Sequence, residues 1–162
     1  MTPTDAILPE VSVRRGGVDD ADVLADLYSE ARRAAVPQMP PAVHTDEEHR
    51  DYYRRHLTTD PDHTVWVAEA EGEVLGFALC TPTFLDGIYV RADLKGRGLG
   101  SLLLDVVEAT HPDGYELWVF ESNAGARRLY ERRGLVEVER TDGSGNEERS
   151  PDVRMAWRPQ NR

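Results

Sequence analysis

Alternating glycines beside two cations are the part of this sequence best suited to chemistry. They occupy 95–100 (KGRGLG), between an apolar run at 84–90 and a helical apolar pattern at 99–110. The first turn of a helix leaves backbone N–H groups without intrahelical partners, and these groups attract anions together with the helix dipole. Because glycines let a ligand approach the backbone closely, the segment predicts a phosphate-binding turn.

Two better-known phosphate motifs do not fit this turn. A Walker A loop requires G-x-x-x-x-G-K-[ST], which is absent. A Rossmann fingerprint requires G-x-G-x-x-G, and its third glycine, counted from Gly96, falls on Ser101. The turn also follows several strands rather than the first one. Taken alone, the turn leaves open a glycine-rich connector without a ligand.

The elements that must position this turn follow from hydrophobic periodicity and turn residues. Strands are predicted at 11–15, 65–69, 74–80, 84–90, 115–120, 135–139 and 153–157, and helices at 20–35, 45–57, 99–110 and 123–132. The order β-α-α-β-β-β-α-β-α-β-β has strands and helices mixed and three strands in a row. It predicts an α/β (α+β) fold with a mixed sheet flanked by helices.

Local signals support the helices. In the first helix, Val23, Leu27 and Ala31 lie four residues apart and predict one buried stripe. Thr45 with Glu48 predicts a capping box for the second helix. Gly134 predicts a left-handed end for the last helix.

Composition limits the class of protein. The 162 residues fit a single domain over 1–162, with residues 1–10 as a loose leader. A net charge of −11 argues against an extended nucleic-acid surface, and no apolar run approaches the ~20 residues that span a bilayer. No secretory signal is visible, and a single cysteine excludes an intrachain disulfide. We therefore expect a cytoplasmic protein without membrane or nucleic-acid partners.

Residues 85–134 resemble the core of the GNAT superfamily of N-acetyltransferases. The family pattern [QR]-x-x-G-x-[GA] reads KGRGLG here, with Lys95 where the family has Gln or Arg. Downstream, Asn123, Ala126 and Tyr130 match the family segment N-x-x-A-x-x-x-Y-x-x-x-G-[FL]. Both segments in the family's order and spacing favour a ligand-binding turn over the bare connector.

The resemblance implies a mostly antiparallel central sheet and acetyl-CoA as the acyl donor, with no metal. It implies that the strand at 84–90 splays from the strand at 115–120 to admit the pantetheine arm. The backbone of Ile88 would lie near the thioester carbonyl, that of Val90 near the pantetheine, and Asn123 beside the cofactor arm. The pyrophosphate would bind the backbone of the turn, formed by Lys95, Gly96, Arg97, Gly98, Leu99 and Gly100.

The implied reaction is direct attack of a neutral amine on the thioester. Tyr130 is the candidate proton donor to the departing thiolate, and the alternative is a tyrosine that only packs in the core. The glutamate of histone-type members falls on Phe84, so that assignment fails. Asp86, on the same strand face, is the best substitute as general base; a strand-edge carboxylate and a water chain remain alternatives.

Other reactive residues fit structural roles better. Cys80 ends an apolar strand and is expected to be buried and inert. His44, His49 and His56 lie around the second helix, but H-E-x-x-H is absent and a solvated face is the better interpretation. No metal site is therefore expected.

We expect an N-acetyltransferase that acts on a primary amine of a small molecule or peptide, as a monomer or homodimer. The acceptor would enter near 28–57 and 140–152. One alternative is a non-catalytic acyl-CoA-binding domain of the same fold, in which Phe84 marks a lost base. Another is a nicotinamide-dependent enzyme on a Rossmann sheet.

Overall fold

The computed structural model describes residues 9–159, whose strands and helices follow the predicted order. The strands are β1 (Ser12–Arg15), β2 (Thr64–Ala70), β3 (Glu73–Cys80), β4 (Leu85–Val90), β5 (Tyr115–Phe120), β6 (Val136–Thr141) and β7 (Asp152–Trp157). The α-helices are α1 (Ala21–Ala34), α2 (Asp46–Thr59), α3 (Leu99–Thr110) and α4 (Ala124–Arg132). Short 3₁₀ turns at Val18–Asp20 and Ala92–Leu94, which the sequence patterns did not indicate, lead towards α1 and the glycine turn.

The strands form two antiparallel sheets that meet side by side. One sheet has the order β1-β2-β3-β4 and the other the order β5-β7-β6. A parallel bridge between Phe84 and Glu116 joins β4 to β5 at the start of both strands. The prediction of a mixed, mostly antiparallel sheet is therefore confirmed.

The helices pack on opposite faces of the four-stranded sheet. On one face, α1 and α2 cover the side chains of Val65, Val67, Phe77 and Leu79. On the other face, α3 and α4 pack over Ala78, Cys80 and the apolar side of β5 and β7. Because side chains alternate along a strand, β2 and β3 supply both cores and are buried on both faces.

The predicted stripe of α1 is wrong at Val23, which is 52% exposed. The stripe is confirmed at Leu27 and Ala31, which are buried, and Leu24 is buried in place of Val23. The two predicted helix ends are confirmed. Thr45 Oγ1 accepts from the Glu48 amide at 3.2 Å and donates to Glu48 Oε1 at 3.3 Å, so the predicted capping box is half formed, and Gly134 has φ +92° after α4.

The predicted leader, 1–10, lies mostly outside the described residues; Pro9 and Glu10 precede β1 without regular structure. Among residues 9–159, the helices are too short or too polar for any of them to cross a bilayer.

Candidate active site

The gap between β4 and β5 is the central feature of the site. The strands run parallel and touch at their starts, where the Glu116 amide donates to Thr83 O at 3.0 Å. Beyond that point β4 pairs with β3 and β5 pairs with β7, so the two sheets separate. The predicted splay is therefore confirmed. It opens a cleft of about 1630 Å³, above the roughly 300–1,000 Å³ of ordinary ligand pockets.

The backbone of β4 presents two amides to this gap. Arg91 N donates to Leu75 O at 2.9 Å, which fixes the side of the strand that pairs with β3. In the antiparallel register Phe77 lies opposite Tyr89. Because the direction of backbone N–H groups alternates along a strand, the amides of Ile88 and Val90 point away from β3 and into the gap.

The glycine turn begins α3. Gly96 and Gly98 have φ values of +79° and +85°, and Gly98 is the N-cap residue without a side-chain cap. A Cβ at either position would meet nothing within 4 Å. Their glycine identity therefore reflects the left-handed backbone, and the space over the first amides of α3 is open for a ligand.

Leu99 and Gly100 have packing roles in the turn, in addition to the phosphate binding that the sequence predicted for all its residues. Leu99 is 3% exposed and packs with Ala70 and Leu75, so its side chain anchors the turn while its backbone faces the cleft. A Cβ on Gly100 would lie 3.2 Å from Leu129 Cδ2. Gly100 thus permits α3 to approach α4, whereas the sequence interpretation assigned it to phosphate access. Lys95 is exposed and Arg97 half-buried beside them.

Asn123 lies at the start of α4 and borders the cleft. Its Oδ1 accepts from the Ala126 amide at 3.4 Å, so the side chain caps the helix. This capping holds the amide group in place, and its NH₂ keeps donors for a ligand.

Tyr130 borders the same cleft from α4 and is 8% exposed. Within residues 9–159 its hydroxyl makes no hydrogen bond, although the ring packs in the main core. Burial raises the pKa of the Tyr130 phenol to about 12. The phenol is therefore protonated throughout the neutral range.

Asp86 borders the cleft from β4, but its carboxylate is already engaged. Asp86 Oδ2 lies 2.9 Å from His63 Nε2, and His63 Nδ1 lies 2.7 Å from Asp60 Oδ2. The sequence interpretation missed His63, because it lies 23 residues from Asp86 and no local motif links them.

The opposite wall of the cleft is formed by α1 and the loop before β7. Arg32, 4% exposed, donates to Tyr28 Oη at 2.7 Å and to Pro40 O at 3.0 Å. Glu148 of the loop lies 3.8 Å from the same guanidinium. Burial raises the pKa of Tyr28. These contacts join α1, the segment at Pro40 and the loop before β7 into one wall of the cleft, which is the region predicted to admit the acceptor.

The sequence model described as "Acetyltransferase (GNAT) family" matches residues 24–135 of this chain. The chain belongs to the GNAT family. It is an N-acetyltransferase, and the fold expected from the resemblance is confirmed.

Two relatives named as N-acetyltransferases match most of the chain. An uncharacterised N-acetyltransferase of Archaeoglobus fulgidus is 28% identical over 152 residues, covering 85% of this chain and 100% of the relative. A phosphinothricin N-acetyltransferase of Streptomyces coelicolor is 29% identical over 143 residues, covering 80% of this chain and 84% of the relative.

Solved GNAT structures share the fold. The acetyltransferase yncA of Salmonella typhimurium, solved with its cofactor acetyl-CoA, superimposes with a TM-score of 0.71 at 17% identity. The superposition covers 94% of this chain and 95% of yncA. At this identity the likeness shows the fold, and the roles of individual residues rest on the geometry described above.

Proposed function

We propose that this GNAT enzyme transfers the acetyl group of acetyl-CoA to a primary amine of a small molecule by direct attack. The observation that carries the proposal is the pair of β4 amides, at Ile88 and Val90, that face the gap between the sheets. They lie in one cleft with the open amides at the start of α3. An extended, amide-containing pantetheine matches the first feature, and a pyrophosphate matches the second.

The donor would lie along β4 with its pyrophosphate at the glycine turn. Lys95 would add positive charge there. The pantetheine would take the place of a strand partner for β4, and Asn123 would donate from its side-chain amide to the cofactor arm. The acetyl-CoA held by yncA supports this donor.

The chemistry needs a proton acceptor, an oxyanion donor and a partner for the leaving sulfur. Asp86 would take the proton of the attacking amine. The Ile88 amide would donate to the oxygen that becomes negative as the N–C bond forms. The C–S bond then breaks, and Tyr130 would donate a hydrogen bond to the CoA thiolate. No covalent enzyme intermediate is required.

Charge on the acceptor wall favours a cationic small amine. Arg32 donates from its two terminal nitrogens to Tyr28 Oη and Pro40 O, whereas its buried Nε has no partner among residues 9–159. Asp86 and Glu148 place carboxylates at this side of the cleft, the first in contact with His63 and the second 3.8 Å from the Arg32 guanidinium. With a net charge of −11, the chain would attract an amine cation before its deprotonation. A phosphinothricin N-acetyltransferase matches 80% of this chain, whereas two peptidyl-lysine N-acetyltransferases match 51% and 46% of it, so coverage favours a small molecule over a peptide.

The non-catalytic alternative rests on Phe84, which occupies the position of the base in histone-type members. Phe84 pairs with Glu116 where β4 and β5 meet, at the closed end of the gap. Asp86, two residues further along the chain, borders the cleft, so the side chain at position 84 is a poor guide to whether a base is present. We further propose a cytoplasmic location, because the lone Cys80 is buried and suits a reducing compartment.

Two measurements test the proposal together. Acetyl-CoA at a hundredfold excess over its Kd should stabilise the fold by about 2.7 kcal/mol in a thermal-shift assay. A panel of polyamines, lysine peptides and anionic amino acids, scored by release of CoA thiol, should then show turnover of a small cationic amine. Stabilisation without turnover of any amine would support the non-catalytic domain. Stabilisation by a nicotinamide dinucleotide but not by acetyl-CoA would overturn the donor.

A further inference from the structure

Three potential metal ligands converge where α2 ends and β2 begins. His56 is in the last turn of α2, Asp60 is its C-cap residue, and His63 precedes β2. One ligand atom from each lies within 4.8 Å of the other two. Asp60 Oδ2 is 2.7 Å from His63 Nδ1 and 3.5 Å from His56 Nδ1.

His56, in the last turn of α2, has an unsatisfied nitrogen that faces this point. Within residues 9–159, the buried His56 Nδ1 has no hydrogen-bond partner. Its ring lies 4.5 Å from the His63 ring and 4.1 Å from the ring of Tyr52. A buried, unpaired imidazole nitrogen is unfavourable unless a donor or a cation satisfies it.

The contact made by His63 Nε2 determines whether His63 Nδ1 carries a proton or a lone pair. His63 Nε2 lies 2.9 Å from Asp86 Oδ2, an ideal distance for an N–H donated to a carboxylate. In the neutral tautomer this leaves a lone pair on Nδ1, directed at an Asp60 oxygen that is also an electron-pair donor. The two atoms need a cation between them, or a second proton on the ring.

We propose that this GNAT chain binds one divalent transition-metal ion of the zinc class through His56 Nδ1, the Asp60 carboxylate and His63 Nδ1. Asp86 acts as the outer carboxylate that orients His63, an arrangement typical of metal-binding histidines. Water completes the tetrahedron, since the side chains of His56 and Asp60 are 23% and 33% exposed and leave the site partly open.

The geometry and the charge both suit such an ion. Tetrahedral zinc with ligands at about 2.1 Å places neighbouring ligand atoms about 3.4 Å apart. The 3.5 Å between His56 Nδ1 and Asp60 Oδ2 already fits, and the 2.7 Å contact to His63 has only to lengthen when its shared proton leaves. Two imidazoles exclude magnesium and calcium, which prefer oxygen. Asp60 and Asp86 together balance the two positive charges.

The site is separate from the proposed acetyl transfer, although Asp86 borders both. The sequence interpretation grouped His56 with His44 and His49, which lie on the same helix region. The structure separates them: His49 packs against Ser29 and Tyr28, and His44 pairs with Glu48 and Glu147. The real partner of His56 is a histidine beyond the turn that ends the helix.

Titration of chelator-treated protein with Zn²⁺ and Co²⁺ tests the proposal. We expect one equivalent of Zn²⁺ per chain by calorimetry, a higher thermal midpoint, and a tetrahedral Co²⁺ absorption spectrum. His56→Gln and His63→Gln should each abolish the stoichiometric event, and Asp86→Asn should weaken it about 10–100-fold. His44→Gln is the matched control, since His44 is also paired with carboxylates, and it should bind as the parent does.

Three results would overturn the proposal. They are no stoichiometric binding at 100-fold excess Zn²⁺, equal binding in the parent and both histidine variants, or equal loss in His44→Gln. Circular dichroism of each variant checks folding. If one histidine variant does not fold, an NMR spectrum of the parent protein in excess Zn²⁺ at pH 7.5 tests the proposal. A doubly protonated His63 in that spectrum would establish an imidazolium bridge instead of a metal.

Discussion

The hydroxyl of Tyr130 gives the sharpest test of the proposed chemistry, because its pKa limits what it can do. Burial raises that pKa to about 12. A thiol has a pKa near 8.5, so full proton transfer to the CoA thiolate is uphill by about 3.5 pKa units, or about 5 kcal/mol. We therefore expect Tyr130 to stabilise the leaving sulfur by donating a hydrogen bond while keeping its proton.

The size of the effect follows from this distinction. A hydrogen bond to a charged group contributes about 1.5–3 kcal/mol, which corresponds to a factor of roughly 10–150 in rate. Full general acid catalysis would contribute about 10²–10⁴. Tyr130→Phe should therefore lower kcat by roughly 10–150-fold with little change in KM for acetyl-CoA. Because the Tyr130 phenol loses its proton only near its raised pKa, its ionisation should cause no fall in the rate of the parent enzyme below pH 10.

Stability provides the control for this substitution. Within residues 9–159 the Tyr130 hydroxyl has no hydrogen-bond partner, so its removal should leave the thermal midpoint nearly unchanged. Tyr115→Phe is a matched change: Tyr115 is 1% exposed, its buried hydroxyl has no partner in the described part of the chain, and it stacks on Trp157 away from the cleft. Tyr115→Phe should retain full kcat and equal or higher stability.

Steady-state and single-turnover kinetics of both variants decide the matter. A Tyr130→Phe enzyme within threefold of the parent, with chemistry shown to be rate-limiting, would return Tyr130 to a packing role. A loss above 10³ would refute the hydrogen-bond argument in favour of complete proton transfer.

Three further perturbations test other parts of the molecule. Gly98→Val should abolish stabilisation by acetyl-CoA in a thermal-shift assay, whereas Gly72→Val, with a similar φ of +78° and equally open space in the β2–β3 turn, should lose stability but retain the ligand effect. If acetyl-CoA stabilised both variants equally, the glycine turn would have no role in binding the donor. Asp86→Asn should lower kcat by about 10²–10⁴ if Asp86 is the base; Asp26→Asn, which alters a carboxylate paired with Arg50 outside the cleft, should not. An active Asp86→Asn enzyme would favour a water chain. Burial raises the pKa of Cys80 to about 12, so a maleimide should label native protein far more slowly than urea-unfolded protein by mass spectrometry; rapid native labelling would contradict the buried, inert thiol.

Local sequence patterns were sufficient for the element order and for α3 and β5, whose bounds were predicted to the residue. In both segments the apolar positions follow one period, and the glycine turn marks the start of α3. The failure at Val23 shows the limit of this reasoning. Two overlapping stripes were available on α1, and the choice between them depends on how the helix lies against β2 and β3.

Contacts made by the sheet register could not be predicted locally. Thr64 pairs with Cys80, and Cys80 pairs with Leu85, so the start of β2 and the start of β4 lie on either side of the end of β3. This double pairing brings His63 to Asp86. The buried Arg32 was equally hidden, because an arginine on an amphipathic helix normally belongs to its solvated face.

The separation of β4 from β5 has a consequence for hydrogen exchange. In the described part of the chain, β4 is the edge strand of its sheet. The amides of Ile88 and Val90, which point away from β3, therefore have no strand to pair with among residues 9–159. A cofactor that occupies the gap would act as an additional strand and couple two sheets that the bare protein joins at the Phe84–Glu116 bridge. The amide protons of these two residues should therefore exchange quickly in the free protein and slowly in the complex. They would report occupancy of the cleft directly, even when the acceptor amine is unknown.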